Sequence, residues 1–384
     1  LSQGGRSLVG TADLPSAALA TDVVELGGLA DMNATDLQKA LTGKRVSVSP
    51  SISAYSENVN GSSTVKDLET LLQLNYLYFT APRRDEESYQ TLMSILDSQL
   101  ANRDKNPKVA WSDSVQMMAS NYSDRTLIVN KELLSKASLD KALEVYKARF
   151  ANPADFTFFF VGNVDPADPA FQTMVCTWLG GLKANKKLET AADDKVRVAM
   201  GIQKNYFTRQ METKTASNRI QYTSYDMPYT LANDLNMEMI GRILSTRYLE
   251  SIREREGGSY GVGCAGWMNR HPVPYAQLIM QFDTDPEKQE KLMSIIHEEV
   301  KTIVENGPLA KDLQKEKESM LKDFEEDLEK NGYWNTVLSM YYKNGINYIT
   351  DYKAAVEAIT AETVQATLKK LTESGNVFEV VMLP

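Results

Sequence analysis

The sequence predicts an α+β protein of two tandem homologous domains, each an antiparallel-rich sheet that helices cover on one face. Its 384 residues are too many for one compact core and fit about two domains on the usual ~150-residue scale. Two blocks of sequence recur in the same order in both halves, which indicates an internal duplication. Strand-like and helix-like patterns also follow one another within each half.

The first repeated block is a helix-like segment. TLMSILDSQL at 91–100 aligns with KLMSIIHEEV at 291–300, an offset of 200 residues. An apolar, strand-like segment and an acidic stretch precede each copy, in residues 75–89 and 277–290. Because the flanks match as well, we interpret the two copies as the same structural unit.

The second repeated block combines a capped helix, a turn and a β-rich strand. SLDKALEVYKARFANPADFTFFFVG at 138–162 resembles TAETVQATLKKLTESGNVFEVVMLP at 360–384. Ser138 and Thr360 have side chains suited to helix N-caps. The offset has grown to 222 residues, so the second copy carries an insertion of about twenty residues, for which 311–334 is the candidate.

The repeats divide the chain into a first domain at 1–185 and a second domain at 186–384. The join falls within 182–198, a stretch rich in Lys, Asp and Ala with weak periodicity, as expected of a linker.

The second domain has the clearer pattern of elements. Strands are predicted at 202–209, 218–225, 260–268 and 275–283. Between the second and third strands, apolar residues at helical spacing predict an amphipathic helix; they are Leu231, Leu235, Met239, Ile243, Leu244, Tyr248 and Ile252. Two more helices are predicted across 286–307 and 309–328.

Composition excludes several classes of protein. A formal net charge of −9 argues against nucleic acid or an anionic membrane as a partner, because both need clustered Lys and Arg. Two cysteines, Cys176 and Cys264, exclude a disulfide framework. No apolar run approaches the ~18–20 residues of a membrane span. The chain opens LSQGGRSLVG, which predicts a piece of something longer.

The familiar catalytic motifs are missing from the sequence. A helical zinc site needs two His four residues apart, but His297 begins HEEVK and His271 lies in a polar NRHPVPY segment. We therefore expect surface or edge histidines and no metal ligands in this chain. No G-x-S-x-G elbow occurs, and neither cysteine has a nucleophile context.

The stretch REREGGSYGVG at 253–263 contains four glycines but is no phosphate loop. Its glycines do not fit G-x-G-x-x-G, and it follows a predicted helix instead of a strand. A helix that ends and a strand that begins explain the glycines better. Gly261 and Gly263 alternate along that strand and leave one face bare, which permits the close approach of another backbone.

Several strings follow one another along the chain: GGRSLVG, residues 41–92, FTFFFVGNVD at 156–165, TWLGGL at 177–182, and REREGGSYGVG. With these strings in this order, the whole chain resembles the C-terminal, non-zinc half of the pitrilysin/insulinase family of zinc metallopeptidases. The resemblance implies a fold of the LuxS/MPP-like metallopeptidase type. It also implies that the zinc and its ligands lie in a missing N-terminal half.

The resemblance assigns catalytic roles to Arg253 and Tyr260, which stand seven residues apart as in the family's Arg–Tyr pair. Both would contact the substrate beside the zinc of the other half. The bare face at Gly261 and Gly263 would receive either the substrate or a neighbouring element of the fold, and the glycine pattern does not favour one over the other. A structural interpretation stays open: Arg253 in a last helical turn interacts well with the helix dipole, and Tyr260 is an ordinary strand residue. Arg255 is the rival arginine at a different spacing.

Three functions follow as alternatives. The chain is the C-terminal half of one long zinc peptidase, which encloses peptides and completes the active site. Alternatively, it is a separate zinc-free subunit that pairs with a zinc-bearing homologue. In the third alternative, it is a purely structural relative. Expected partners are the zinc-bearing half or subunit and peptide substrates, and the expected location is the bacterial periplasm or cell envelope.

Overall fold

The computed structural model describes residues 1–103, 105–185, 188–254 and 261–384, with backbone only for residues 253 and 254. Within these ranges, no helix has the length and apolar character needed to cross a membrane.

The helices and strands lie as follows in chain order. The elements up to residue 178 are β1 Ser2–Gln3, α1 Leu14–Ala17, α2 Ala20–Gly27, α3 Ala34–Ala40, β2 Val46–Ile52, β3 Ser56–Ser63, α4 Leu68–Thr80, α5 Glu86–Arg103, α6 Pro107–Ala119, α7 Lys131–Lys136, α8 Leu139–Arg149 and α9 Pro169–Trp178. The later elements are β4 Ile202–Thr208, β5 Ala216–Ser224, α10 Leu231–Tyr248, β6 Gly263–Asn269, β7 Tyr275–Thr284, α11 Gln289–Asn306, α12 Ala310–Asp327, α13 Asn331–Asn344, α14 Tyr352–Glu357, α15 Ala361–Glu373 and β8 Val377–Leu383.

The chain forms two compact units. The first contains Leu1–Arg103 and Leu127–Asp194, and the second contains Asp104–Thr126 and Lys195–Pro384. The segment that carries α6 therefore belongs to the second unit, although it lies early in the chain. This division does not test homology between the units, so the duplication and the domains 1–185 and 186–384 remain a proposal.

The first unit has an antiparallel sheet in the order β1-β3-β2 and a core of apolar helix faces. Leu14, Val24 and Tyr146 are nearly inaccessible to solvent, and Tyr146 stacks on Phe150 with ring centroids 4.5 Å apart. The predicted cap of α8 is confirmed, since the Ser138 side chain accepts the backbone N–H of Lys141.

The second unit contains, among the described residues, a five-stranded sheet in the order β4-β8-β5-β7-β6. β4 pairs with β8 in parallel, and the other pairs are antiparallel. The four strands predicted at 202–209, 218–225, 260–268 and 275–283 are confirmed with shifted ends. The cap of α15 is confirmed as well, because Thr360 and Thr363 form a capping box.

The two faces of this sheet pack differently. Strand β8 shows the alternation: Val377 and Val381 belong to the large core beneath α10, α11 and α15, whereas Phe378 and Val380 point the other way. On that second face they form a small cluster with Trp111 of α6 and its neighbours. The α+β class with helices over open sheets is confirmed, and α6 adds a helix on the opposite face.

Two local predictions in the first half are wrong. Residues 75–80 were expected to be strand-like, but they end α4, where Leu68, Leu72 and Asn75 are buried at helical spacing. Residues 156–162 were expected to form a strand, but the structure assigns none there. Instead Thr157 exchanges backbone hydrogen bonds with Leu1, at 2.9 and 3.1 Å.

Candidate functional site

The structure describes the residues that flank the predicted site on both sides, but not the residues at its centre. The backbone of Arg253 lies in a π-helical turn, Leu249–Glu254, that continues α10. The Arg253 side chain, Arg255 and Tyr260 lie outside the described residues, as do Gly257 and Gly258. Gly261 and Gly263 are described, and Gly263 is the first residue of β6.

The π-helical turn is held firmly where it leaves α10. The Arg247 guanidinium binds Glu299 of α11 and Glu250 of the turn, each at 3.1 Å. Ser251 donates a hydrogen bond to the Arg247 carbonyl at 2.8 Å, and the Ile252 side chain is fully buried. Insertions of this type concentrate at functional sites, and this one fixes the backbone that leads to Arg253.

Strand β6 is fixed against α10 on the other side of the gap. An added Cβ at Gly266 would lie 2.2 Å from the Met237 carbonyl oxygen. The Asp234 carboxylate accepts the Met268 N–H at 2.7 Å, and Ser245 donates to the Cys264 carbonyl at 3.0 Å. The helix therefore sets the position of the strand through direct backbone contact and two side-chain bonds.

Gly261 and Gly263 differ from the packing glycine at 266. Both are exposed, and an added Cβ would meet nothing within 4 Å at Gly261 and only the Gln281 carbonyl, at 3.6 Å, at Gly263. Neither has a positive φ. No clash with the described chain therefore requires glycine at these positions.

A row of residues crosses the sheet beside Gly263. Gly263 pairs with Gln281, and Gln281 pairs with Arg219, which in turn pairs with Val380. Directly opposite residues share one face of a sheet, so this row lies on the face that α6 contacts. Arg219 donates to Gln281 Oε1 at 3.0 Å and to Gln221 Oε1 at 2.9 Å. Burial lowers the pKa of Arg219.

The next row on the same face carries a paired cation. Lys108 of α6 donates to Ser217 at 2.7 Å and forms an ion pair with Asp283 at 2.5 Å. The two rows thus contain one lysine that is neutralised and one arginine bound to neutral amides.

On the opposite face a polar cluster surrounds Glu379. His297 Nε2 lies 2.9 Å from Glu379 Oε1, and His297 Nδ1 lies 3.0 Å from the Tyr222 hydroxyl. Tyr206 donates to the second carboxylate oxygen, and Lys204 lies 3.1 Å from it. Burial acts to raise the pKa of Glu379, but the bonds from His297, Tyr206 and Lys204 outweigh it and hold this pKa at about 2.

The sequence showed no sign of the Glu379 cluster because its members are far apart along the chain. His297 was expected to be a surface or edge histidine, and the structure makes it a half-buried part of an ion-paired network. His271 lies in the turn before β7, where burial lowers its pKa.

The described residues do not fit a zinc site. No group of three or more His, Cys, Asp or Glu within them has an arrangement suited to a metal ion. The nitrogens of His297 are already in contact with Tyr222 and Glu379. Burial raises the pKa of the Cys264 thiol, which keeps it from acting as a thiolate ligand.

Comparison with known proteins agrees with this fold. Residues 136–320 match the family model described as the peptidase M16 inactive domain. The solved structure of the periplasmic protease PqqL from Escherichia coli matches with a TM-score of 0.85 at 18% identity, over 100% of this chain and 42% of that one. The fold is that of an M16 peptidase half.

Curated relatives agree as well. A zinc protease PQQL-like protein of Arabidopsis thaliana is 23% identical over 376 residues, which cover 90% of this chain and 38% of the relative. The probable zinc protease PqqL of Escherichia coli strain K12 is 22% identical over 381 residues, or 96% of this chain and 39% of the relative. The chain thus spans about two fifths of the length of these relatives.

Residues 136–320 carry the pattern of the peptidase M16 inactive domain, and the chain is similar to zinc proteases of the PqqL type. The resemblance to the non-zinc half of the pitrilysin/insulinase peptidases is confirmed. These similarities do not test the roles of Arg253, Tyr260, Gly261 and Gly263, which stay predictions.

Proposed function

We propose that the chain is the non-zinc half of a pitrilysin-type zinc peptidase and that it helps enclose peptides and completes the active site of the zinc-bearing half. The observation that carries this proposal is the match of the chain to the inactive domain of peptidase M16. The position of the Arg–Tyr segment, between the anchored π-helical turn and the bare start of β6, supports it.

The residue types suit peptide hydrolysis. Cleavage passes through a tetrahedral oxyanion, and donors aimed at that oxygen lower the barrier. The Tyr260 hydroxyl would supply a neutral donor, and the Arg253 guanidinium would hold substrate carbonyls or a carboxylate with two parallel bonds. Gly261 and Gly263 would let the peptide backbone approach β6 closely.

The zinc would be supplied by the partner half, since the relatives are named zinc proteases and the described residues do not fit the ion. Activity would then require both halves to close on the peptide, which excludes water and large folded substrates. The partner is either an N-terminal segment of the same longer chain or a separate zinc-bearing subunit. The Escherichia coli relative is titled a periplasmic protease, and we propose the periplasm or cell envelope for this chain too.

Reconstitution tests the proposal. This chain and the zinc-bearing half or subunit are mixed, and cleavage of a quenched fluorescent peptide is followed. We expect no cleavage by this chain alone and a higher rate for the mixture than for the zinc-bearing half alone. If the two parts form a complex that cleaves no faster than the zinc-bearing half, the chain has a structural role only.

A further inference from the structure

We propose that Arg219 forms a carboxylate-binding site on the α6-facing side of the sheet, in the row that ends at Gly263. The site involves none of the residues to which the Arg–Tyr motif assigns catalysis. Its use for substrate carboxylates rests on the proposed peptidase function, whereas the binding itself does not.

The guanidinium of Arg219 has hydrogen-bonding capacity left over. Arginine carries five N–H donors, and two of them bond the neutral side-chain oxygens of Gln281 and Gln221. The Nε–H is buried and has no acceptor within the described part of the chain. A carboxylate fits such a fork with two parallel, charge-assisted bonds.

Arg219 also lacks the charge partners that similar arginines have. Arg149, Arg242 and Arg247 are all at least partly buried, and each lies within 4 Å of two carboxylates or more. Among the ranges that the structure describes, no carboxylate lies within that distance of Arg219. A partly buried cation without a charge partner costs free energy, so an anion supplied by a ligand is the simplest reason for keeping it.

The surroundings define the class of ligand. Gln281 and Gly263 in the same row are both exposed, and Gly263 stands two strand spacings, ~10 Å, from Arg219. Val380 borders the arginine on its other side. A net charge of −9 repels anions in general, so binding here depends on the local fork. The ligand is therefore a carboxylate on a peptide, either its C-terminus or an acidic side chain.

Nuclear magnetic resonance of the chain labelled with ¹⁵N-arginine tests the site directly. The probes are N-acetylglycine, which carries a free carboxylate, and N-acetylglycinamide, which does not. We expect N-acetylglycine to cause a saturable shift of the Arg219 Nε–H signal in the millimolar range, and the amide to cause none. No saturable shift, or the same shift with both probes, would overturn the proposal.

Two variants serve as controls. Arg219→Lys keeps the charge, identifies the signal by its loss and should weaken binding at least tenfold, as judged from the remaining arginine and backbone signals. Arg209→Gln removes an exposed arginine of the same unit and should leave N-acetylglycine binding unchanged. If Arg209→Gln weakens binding as much as Arg219→Lys, general charge and not the fork is responsible, and the proposal fails.

A second set of peptides identifies the source of the carboxylate. One peptide has a free C-terminus and no acidic residue, and the other has an amidated C-terminus and one internal Glu; saturation by either one supports the site and names its source. Because no cleavage is measured, a failed reconstitution would not affect this result. Conversely, a missing shift would leave the roles of Arg253 and Tyr260 untouched.

Discussion

The two faces of the sheet in the second unit differ in the side chains they carry and in how they pack. Under α10, α11 and α15 the face is largely apolar apart from the polar cluster around Glu379, and glycine at 266 lets a helix contact the strand backbone. On the α6 side only part of the face is apolar, around Trp111 and Phe378. The remainder carries Arg219, Gln281 and the exposed Gly263. The first face stabilises the fold. The second carries a hydrogen-bond donor, the Arg219 Nε–H, that has no acceptor among the described residues.

Alanine substitutions of two glycines in β6 should show the largest difference in stability between the two faces. Gly266→Ala puts a Cβ 2.2 Å from the Met237 carbonyl oxygen, so we expect a loss of ~3 kcal/mol or more in the free energy of unfolding. Gly263→Ala meets only an ordinary contact at 3.6 Å and should change stability by less than about 1 kcal/mol. Chemical denaturation of both variants measures the difference. Equal losses would mean that both faces are closed structural surfaces.

The acid dependence of stability is a smaller effect. It depends on Glu379, which lies on the face beneath α10, α11 and α15. The pKa of Glu379 is held at about 2, below its ordinary 4.5, so its stabilising contribution is complete above about pH 4.5 and is lost as the pH falls towards 2. We expect this loss to be ~2 kcal/mol, less than the full shift would give, because solvent screens the bonds from Lys204 and Tyr206, whose side chains are about half exposed.

Denaturation between pH 5 and pH 2 checks this expectation. Glu379→Gln should be less stable than the parent at neutral pH and should lose less stability on acidification. Glu318→Gln, at an exposed position of α12, is the matched control and should follow the parent curve. A Glu379→Gln curve parallel to that of the parent would show that the Glu379 carboxylate is not the source of the acid dependence.

Periodicity predicted most of the second unit. The stripe from Leu231 to Tyr248 is α10, and Thr360 caps α15 as its type and position indicated. Residues 75–80 were misjudged because a short apolar run with aromatic residues suits a strand as well as a buried helix. The packing of α6 on the sheet of the second unit depends on contacts between distant residues such as Trp111 and Phe378, which no local pattern encodes.

The candidate site was predictable only in part. The spacing of Arg253 and Tyr260 is a local signal, and so is the bare alternation at Gly261 and Gly263. Arg219 was missed, although its alternation with buried Ile220 in NRIQYTS indicates a polar face. Strand register agrees with the lack of an acid partner for Arg219 among the described residues, since Gln281 and not a carboxylate stands opposite it.

The central claim, that this chain supplies a catalytic donor to a zinc-bearing half, is tested most directly by the kinetics of Tyr260→Phe in the enzyme that contains both halves. We expect kcat to fall about 10²-fold, the usual effect of removing one oxyanion donor, while KM changes little. Tyr341→Phe, at an exposed position of α13, should leave both constants unchanged. A Tyr260→Phe enzyme with the parent's kcat would contradict the claim.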